Sequence, residues 1–144
     1  MRALLDINAC IALLDPNHVF HERAHVWWSV NLKHGWASCP LTENGIVRIM
    51  SNPSYSKEIR FSMNDLIQTL NKFVADTDHE FWPDDLSIRN SDLFVREELH
   101  SSARLTDVYL LALATKRKGR LATFDQGITI SVVKNAKPRN LVHL

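Results

Sequence analysis

Apolar positions fall into short runs separated by polar turns, and two periods alternate along the chain. "RALLD" is brief and continuously apolar, which predicts a buried strand. "INACIALLD" predicts a helix stopped at Asp15-Pro16. From Phe20 to Leu32, Phe20, Ala24, Trp27 and Trp28 recur at helical spacing, and Gly35 ends that helix. "GWASCP" predicts a second strand. In "LTENGIVRIMS" the pattern predicts a helix with Thr42 as N-cap, an apolar face of Ile46, Val47, Ile49 and Met50, and a stop at Asn52-Pro53.

The second half continues the pattern. "SMNDLIQTLNKFVA" sets Met63, Leu66, Ile67, Leu70 and Phe73 on one helical face. "HEFWP" predicts a strand and "SDLFVREELH" a short helix. "TDVYLLALATKRKG" is the most apolar helix, with Thr106 as its cap and Gly119 as its end. "RLATFD" and "NLVHL" predict the last two strands. Strands alternating with helices predict an α/β fold: a mainly parallel sheet flanked by helices, in one domain spanning residues 1–144.

Strand ends and helix starts share one edge of an open parallel sheet. Asp6 and Asp125 end predicted strands, and Glu43 and Asp107 fall in first turns, so four carboxylates are expected at that edge. Each has a plainer reading. Glu43 and Asp107 suit the positive end of a helix, Asp6 could start a helix, and Asp125 could belong to a turn. As a cluster, however, the acids repel. Two carboxylates about 4 Å apart cost roughly 4 kcal/mol at an effective dielectric of 20. A divalent cation removes that cost, and an all-oxygen donor set suits Mg²⁺ or Mn²⁺. Such a site suits phosphodiester hydrolysis by a metal-activated water.

Composition narrows the alternatives. The 144 residues carry a net charge of +1 and are 45% hydrophobic, which fits a globular domain and does not advertise a nucleic-acid binder. Asp6 interrupts the N-terminal apolar stretch, unlike a secretory signal, and no uncharged run nears the roughly 18 residues of a membrane span. Cys10 and Cys39 form no CxxC pair and read as buried residues of a reducing cytoplasm. The four glycines build no dinucleotide fingerprint, phosphate loop or nucleophile elbow.

The stretches "LLDINACIALLDPNHVFHERAHVWW", "LTENGIVRIMSNP" and "LTDVYLLALATKRKGRLATFDQGI" resemble the PIN-domain ribonucleases, specifically the VapC toxins of type II toxin–antitoxin pairs. The resemblance covers nearly the whole chain. It implies a PIN fold and places the family's acidic quartet on Asp6, Glu43, Asp107 and Asp125. It also implies supporting roles for Asn8 and Thr123, which could hydrogen-bond the carboxylates or water. Asp6, Asp107 and Asp125 would bind Mg²⁺ or Mn²⁺, while Glu43 would hold a second metal or orient the attacking water. The implied activity is RNA cleavage, of tRNA or rRNA, leaving a 3′-hydroxyl and a 5′-phosphate. The implied partners are a VapB-type antitoxin and a second copy of the chain. Two rivals are a housekeeping RNA-processing PIN nuclease and a non-catalytic module that holds a cation and a partner.

Other features yield to plainer readings. His21 and His25 could share a helix face and bind zinc, but no cysteine or acid pair completes the site at the expected spacing. The basic "KRKGR" suits a helix C-terminus and lies roughly 13 Å along the axis from the site. Arg48, just over one turn from Glu43, is the better candidate for contacting substrate. Trp27 and Trp28 suit a core or an interface; with "SMNDLIQTLNKFV" they could form a groove for an antitoxin helix.

Overall fold

The computed structural model describes all 144 residues. It contains five strands: β1 (Ala3–Leu5), β2 (Trp36–Ser38), β3 (His79–Phe81), β4 (Arg120–Thr123) and β5 (Leu141–His143). They form one sheet in the order β3-β2-β1-β4-β5, and every neighbouring pair is parallel. Five α-helices flank it: α1 (Ile7–Leu14), α2 (His21–Asn31), α3 (Pro40–Ser51), α4 (Met63–Ala75) and α5 (Leu105–Lys116).

β1 is central and buried at every position, which is why its sequence is continuously apolar. Its side chains alternate between two cores. Leu4 joins Leu121 and the buried residues of α5 on one face. Ala3 and Leu5 join Trp36, Ala122 and the buried residues of α1, α3 and α4 on the other. Covering both faces this way leaves the carboxyl edge of the sheet as the natural place for a cleft. The chain runs outward from β1 to β2 and β3, then returns to β4 and β5 on the opposite side. The order therefore reverses between β1 and β4, and open α/β sheets form their crevice at such a switch point.

Several local expectations need correction. The α3 N-cap is Cys39; Thr42 sits three residues later, where its hydroxyl accepts the Cys39 amide at 3.0 Å. The α5 N-cap is Arg104, so Thr106 lies inside the helix. "SDLFVREELH" forms only a 3₁₀ turn, Arg96–Glu98. α5 ends with Lys118 in the left-handed region (φ 57°), while the amides of Lys118 and Gly119 bond back to Thr115 and Ala114. Gly119 is required for room instead, because a Cβ there would lie 2.7 Å from the Arg2 carbonyl oxygen. The apolar face of α4 is only partly covered: Leu66 and Leu70 are buried, but Met63 and Ile67 are exposed.

Candidate active site

Asp6 immediately follows β1, and its amide donates to the Ala122 carbonyl of β4 at 3.0 Å, which ties it to the switch point. Its side chain is 7% exposed and makes no capping bond to α1. Instead, the fully buried Thr123 hydroxyl donates to Asp6 Oδ2 at 2.7 Å. The same hydroxyl oxygen accepts the Asp125 amide at 3.0 Å, so one threonine joins the ends of two strands. Burial raises the Asp6 pKa, and the Thr123 bond offsets part of the rise.

Asp107, in the first turn of α5, completes this group. Asp6, Asn8, Asp107 and Asp125 line one cleft of about 450 Å³, with Ile49 and Phe124 among its apolar walls. The Asp107 pKa is pushed up to about 6, first by burial and then by repulsion from Asp6; Arg104 opposes the rise. Asp125 is engaged differently. Its carboxylate pairs with Arg104 and accepts the Gly127 amide at 2.8 Å.

Glu43 does not line this cleft. It follows β2, which flanks β1 on the side away from β4, and it lines a neighbouring groove of about 750 Å³ with Arg48 and His79. There the Ser38 hydroxyl holds Glu43 Oε1 at 2.6 Å. The four acids thus share one edge of the sheet but divide between two adjoining depressions. Arg104, Ser38 and His79 escaped the sequence reading. Ser38 did leave a trace, as a polar residue at a core-facing position of an apolar strand.

The donor set can be tested against a divalent cation. No three of the chain's His, Cys, Asp and Glu side chains stand together as a ready-made metal cluster. Asp6 and Asp107 nevertheless form a repelling, desolvated pair of hard oxygen donors, and Mg²⁺ commonly takes one or two carboxylates and keeps several waters. The residues fit such an ion, with Asp125 as a further donor once Arg104 yields it.

The remaining expectations resolve into packing. His21 and His25 each place one ring nitrogen against a carbonyl at the end of α1, at 2.7 and 3.1 Å, which ties α2 to α1, and no third ligand stands with them to form a metal site. Lys116 and Arg117 pair with Asp85. Trp36 and Trp82 are buried, Trp28 packs on Phe73, and Arg120 covers Trp27. Cys10 and Cys39 are buried free thiols, and burial pushes Cys10 up to about 12. No helix is long and apolar enough to cross a membrane.

No protein-family model matches the chain. Individual proteins do. It is 45% identical to Ribonuclease VapC44 of Mycobacterium tuberculosis over 144 residues, covering both proteins completely. It is 40% identical over 131 residues to Ribonuclease VapC39 of the same organism, which covers 91% of this chain and 94% of that one. With Ribonuclease VapC38 it shares 38% over 126 residues, 88% of this chain and 86% of the other. The fold also matches a chain in the crystal structure of VapBC2 from Rickettsia felis bound to a DNA fragment from their promoter. That match has a TM-score of 0.61 and 14% identity and covers 100% and 99% of the two chains. On full-length identity to these ribonucleases, and with the parallel sheet to match, the chain belongs to the VapC family of PIN-domain ribonucleases.

Proposed function

We propose that this protein is the toxin of a toxin–antitoxin pair and acts as a metal-dependent endoribonuclease. The observation that carries the chemistry is the Asp6–Asp107 pair in one cleft at the β1/β4 switch point, two carboxylates that raise each other's need for a cation. Asp6 and Asp107 would hold Mg²⁺ or Mn²⁺, and Asp125 would complete the set. Bound there, the ion would supply a lowered pKa for a water and positive charge for the phosphate.

The protein's own residues divide the remaining work. Thr123 keeps Asp6 in place, and its hydrogen bond favours the charged carboxylate against the opposing effect of burial. Glu43, in the adjoining groove and with one oxygen held by Ser38, would orient the attacking water with the other oxygen once RNA spans the two depressions. The water oxygen bonds to phosphorus as the bond to the 3′ oxygen breaks; that oxygen takes up a proton from solvent water and leaves as the 3′-hydroxyl, with the phosphate on the 5′ side. Arg48, exposed beside Glu43, contacts the RNA backbone. A structured RNA such as tRNA or rRNA is the proposed substrate, a VapB-type antitoxin the proposed inhibitor, and a homodimer the proposed assembly.

The test is purified protein on total RNA with Mg²⁺ or Mn²⁺, beside Asp107→Asn. Cleavage by the wild type alone, abolished by EDTA, is expected. Equal cleavage by both proteins, or cleavage that persists in EDTA, would overturn the proposal.

A further inference from the structure

Ser38 ends β2 and is 1% exposed. Its Oγ lies 2.6 Å from Glu43 Oε1 and 2.8 Å from His79 Nε2. A serine hydroxyl carries one proton, and an ionised carboxylate can only accept. Ser38 therefore donates to Glu43, and His79 must donate to Ser38 through Nε2–H. The hydrogen bonds run one way, from imidazole to hydroxyl to carboxylate. The His79 ring is held in place from the sheet. It pairs with Trp36 across β2 and β3 in the sheet, and its ring packs on the indole at 4.5 Å.

The chain crosses three elements, β3, β2 and α3, and ends on the one acid of the quartet that lies outside the Asp6–Asp107 cleft. Glu43 has no salt bridge, and its only side-chain hydrogen bond is the one from Ser38. We propose that Ser38 and His79 are positioning residues for Glu43. They fix one carboxylate oxygen so that the other stays available to the reaction. This rests on the catalytic assignment of Glu43 made above.

The experiment compares Ser38→Ala, Ser38→Thr, His79→Gln and His79→Leu with Glu43→Gln. Steady-state RNA cleavage gives kcat and KM, and nitrogen-15 NMR of the imidazole gives the His79 tautomer. Ser38→Ala is expected to lose about 10–100-fold in kcat, as substitutions supporting a catalytic ligand do, with KM within about twofold. Ser38→Thr, which keeps a hydroxyl, should recover most of the loss. His79→Gln, which keeps an N–H donor, should outperform His79→Leu. The wild type should show the Nε2–H tautomer, and Ser38→Ala a mixture.

An inactive Glu43→Gln beside a fully active Ser38→Ala would overturn the positioning role and leave the catalytic assignment standing. Full turnover by Glu43→Gln would overturn the catalytic assignment and the proposal with it. An Nδ1–H tautomer in the wild type would overturn the direction of the chain.

Discussion

The guanidinium of Arg104 pairs with the Asp125 carboxylate and crosses Gly127, where an added Cβ would overlap its terminal nitrogen. The guanidinium therefore lies flat over the backbone at Gly127 on its way to the acid. In this arrangement Arg104 gives Asp125 the positive charge that a divalent ion would otherwise supply.

A cation that must be displaced competes with the ion that displaces it. Arg104→Ala is therefore expected to tighten Mn²⁺ binding by roughly tenfold, equivalent to about 1.4 kcal/mol. Arg104→Lys, which keeps the charge, should stay near the wild type. Isothermal calorimetry measures both. Unchanged or weaker binding in Arg104→Ala would show that Asp125 takes no part in holding the metal.

Asp107 links the cleft to pH. Its folded pKa of about 6 lies above the ordinary 3.8, so between those values the folded state binds the extra proton. Stability from this group is present below pH 4 and is lost as pH rises through 6. Asp6 shifts in the same direction. His18 and His79, held below their usual range by burial, contribute the opposite slope. The Asp107 share is thus the difference between wild type and Asp107→Asn. With Asp107 half-buried and solvent screening allowed for, it should be about 1 kcal/mol, or roughly 2–4 °C in Tm between about pH 4 and pH 7 in EDTA. Saturating Mg²⁺ at pH 7 should restore the wild type's lost stability. Parallel pH profiles for the two proteins would count against a strained Asp107.

Much of this fold could be read from local pattern, because β1 and α5 are buried in ways that leave unbroken apolar runs. Asp6, Asp107 and Asp125 were legible for a related reason: each lies within two residues of a strand's end or in the first turn of a helix, and parallel topology does the rest. What stayed hidden depends on partners distant in sequence. Arg104 meets Asp125 across 21 positions and Ser38 meets His79 across 41. No spacing rule reports such meetings. Glu43 was placed on the correct edge but in the wrong depression, since the sequence does not say on which side of β1 the strand β2 lies. The exposed Met63 and Ile67 carry the same lesson, because an amphipathic pattern marks a face without saying whether anything covers it.

Lys118 offers a correction that can be measured. An L-residue with a side chain in the left-handed region costs about 1–2 kcal/mol, and glycine avoids this while losing about 0.4–1 kcal/mol to unfolded-state entropy. Lys118→Gly should raise stability by about 0.5 kcal/mol in urea unfolding. A loss of stability would show that the lysine side chain makes a contact worth more than its backbone cost.

Thr123 can be tested by an isosteric change. Thr123→Val keeps the volume and removes the hydroxyl, leaving buried Asp6 without its donor and the Asp125 amide without its acceptor. The loss should be about 1.5–3 kcal/mol, the range for a bond to a charged group, and weaker metal binding should accompany it. A stable variant with normal Mn²⁺ affinity would mean that Thr123 holds neither acid.

Asp6 poses the sharpest contrast between folding and function. It occupies the N-cap position of α1 but gives the helix no capping bond; its carboxylate is turned instead to Thr123. Asn retains an acceptor for Thr123, and it removes a buried charge that repels Asp107. Asp6→Asn should therefore be at least as stable as the wild type in EDTA, by differential scanning calorimetry, while losing both metal affinity and RNA cleavage. A residue kept for capping predicts the reverse, because Asn caps about as well as Asp and cleavage would survive. The two readings separate on a single substitution. Gained stability together with lost turnover and lost metal affinity would show that the charge at Asp6 is a cost to the fold, retained for the reaction, as the proposed cation site requires.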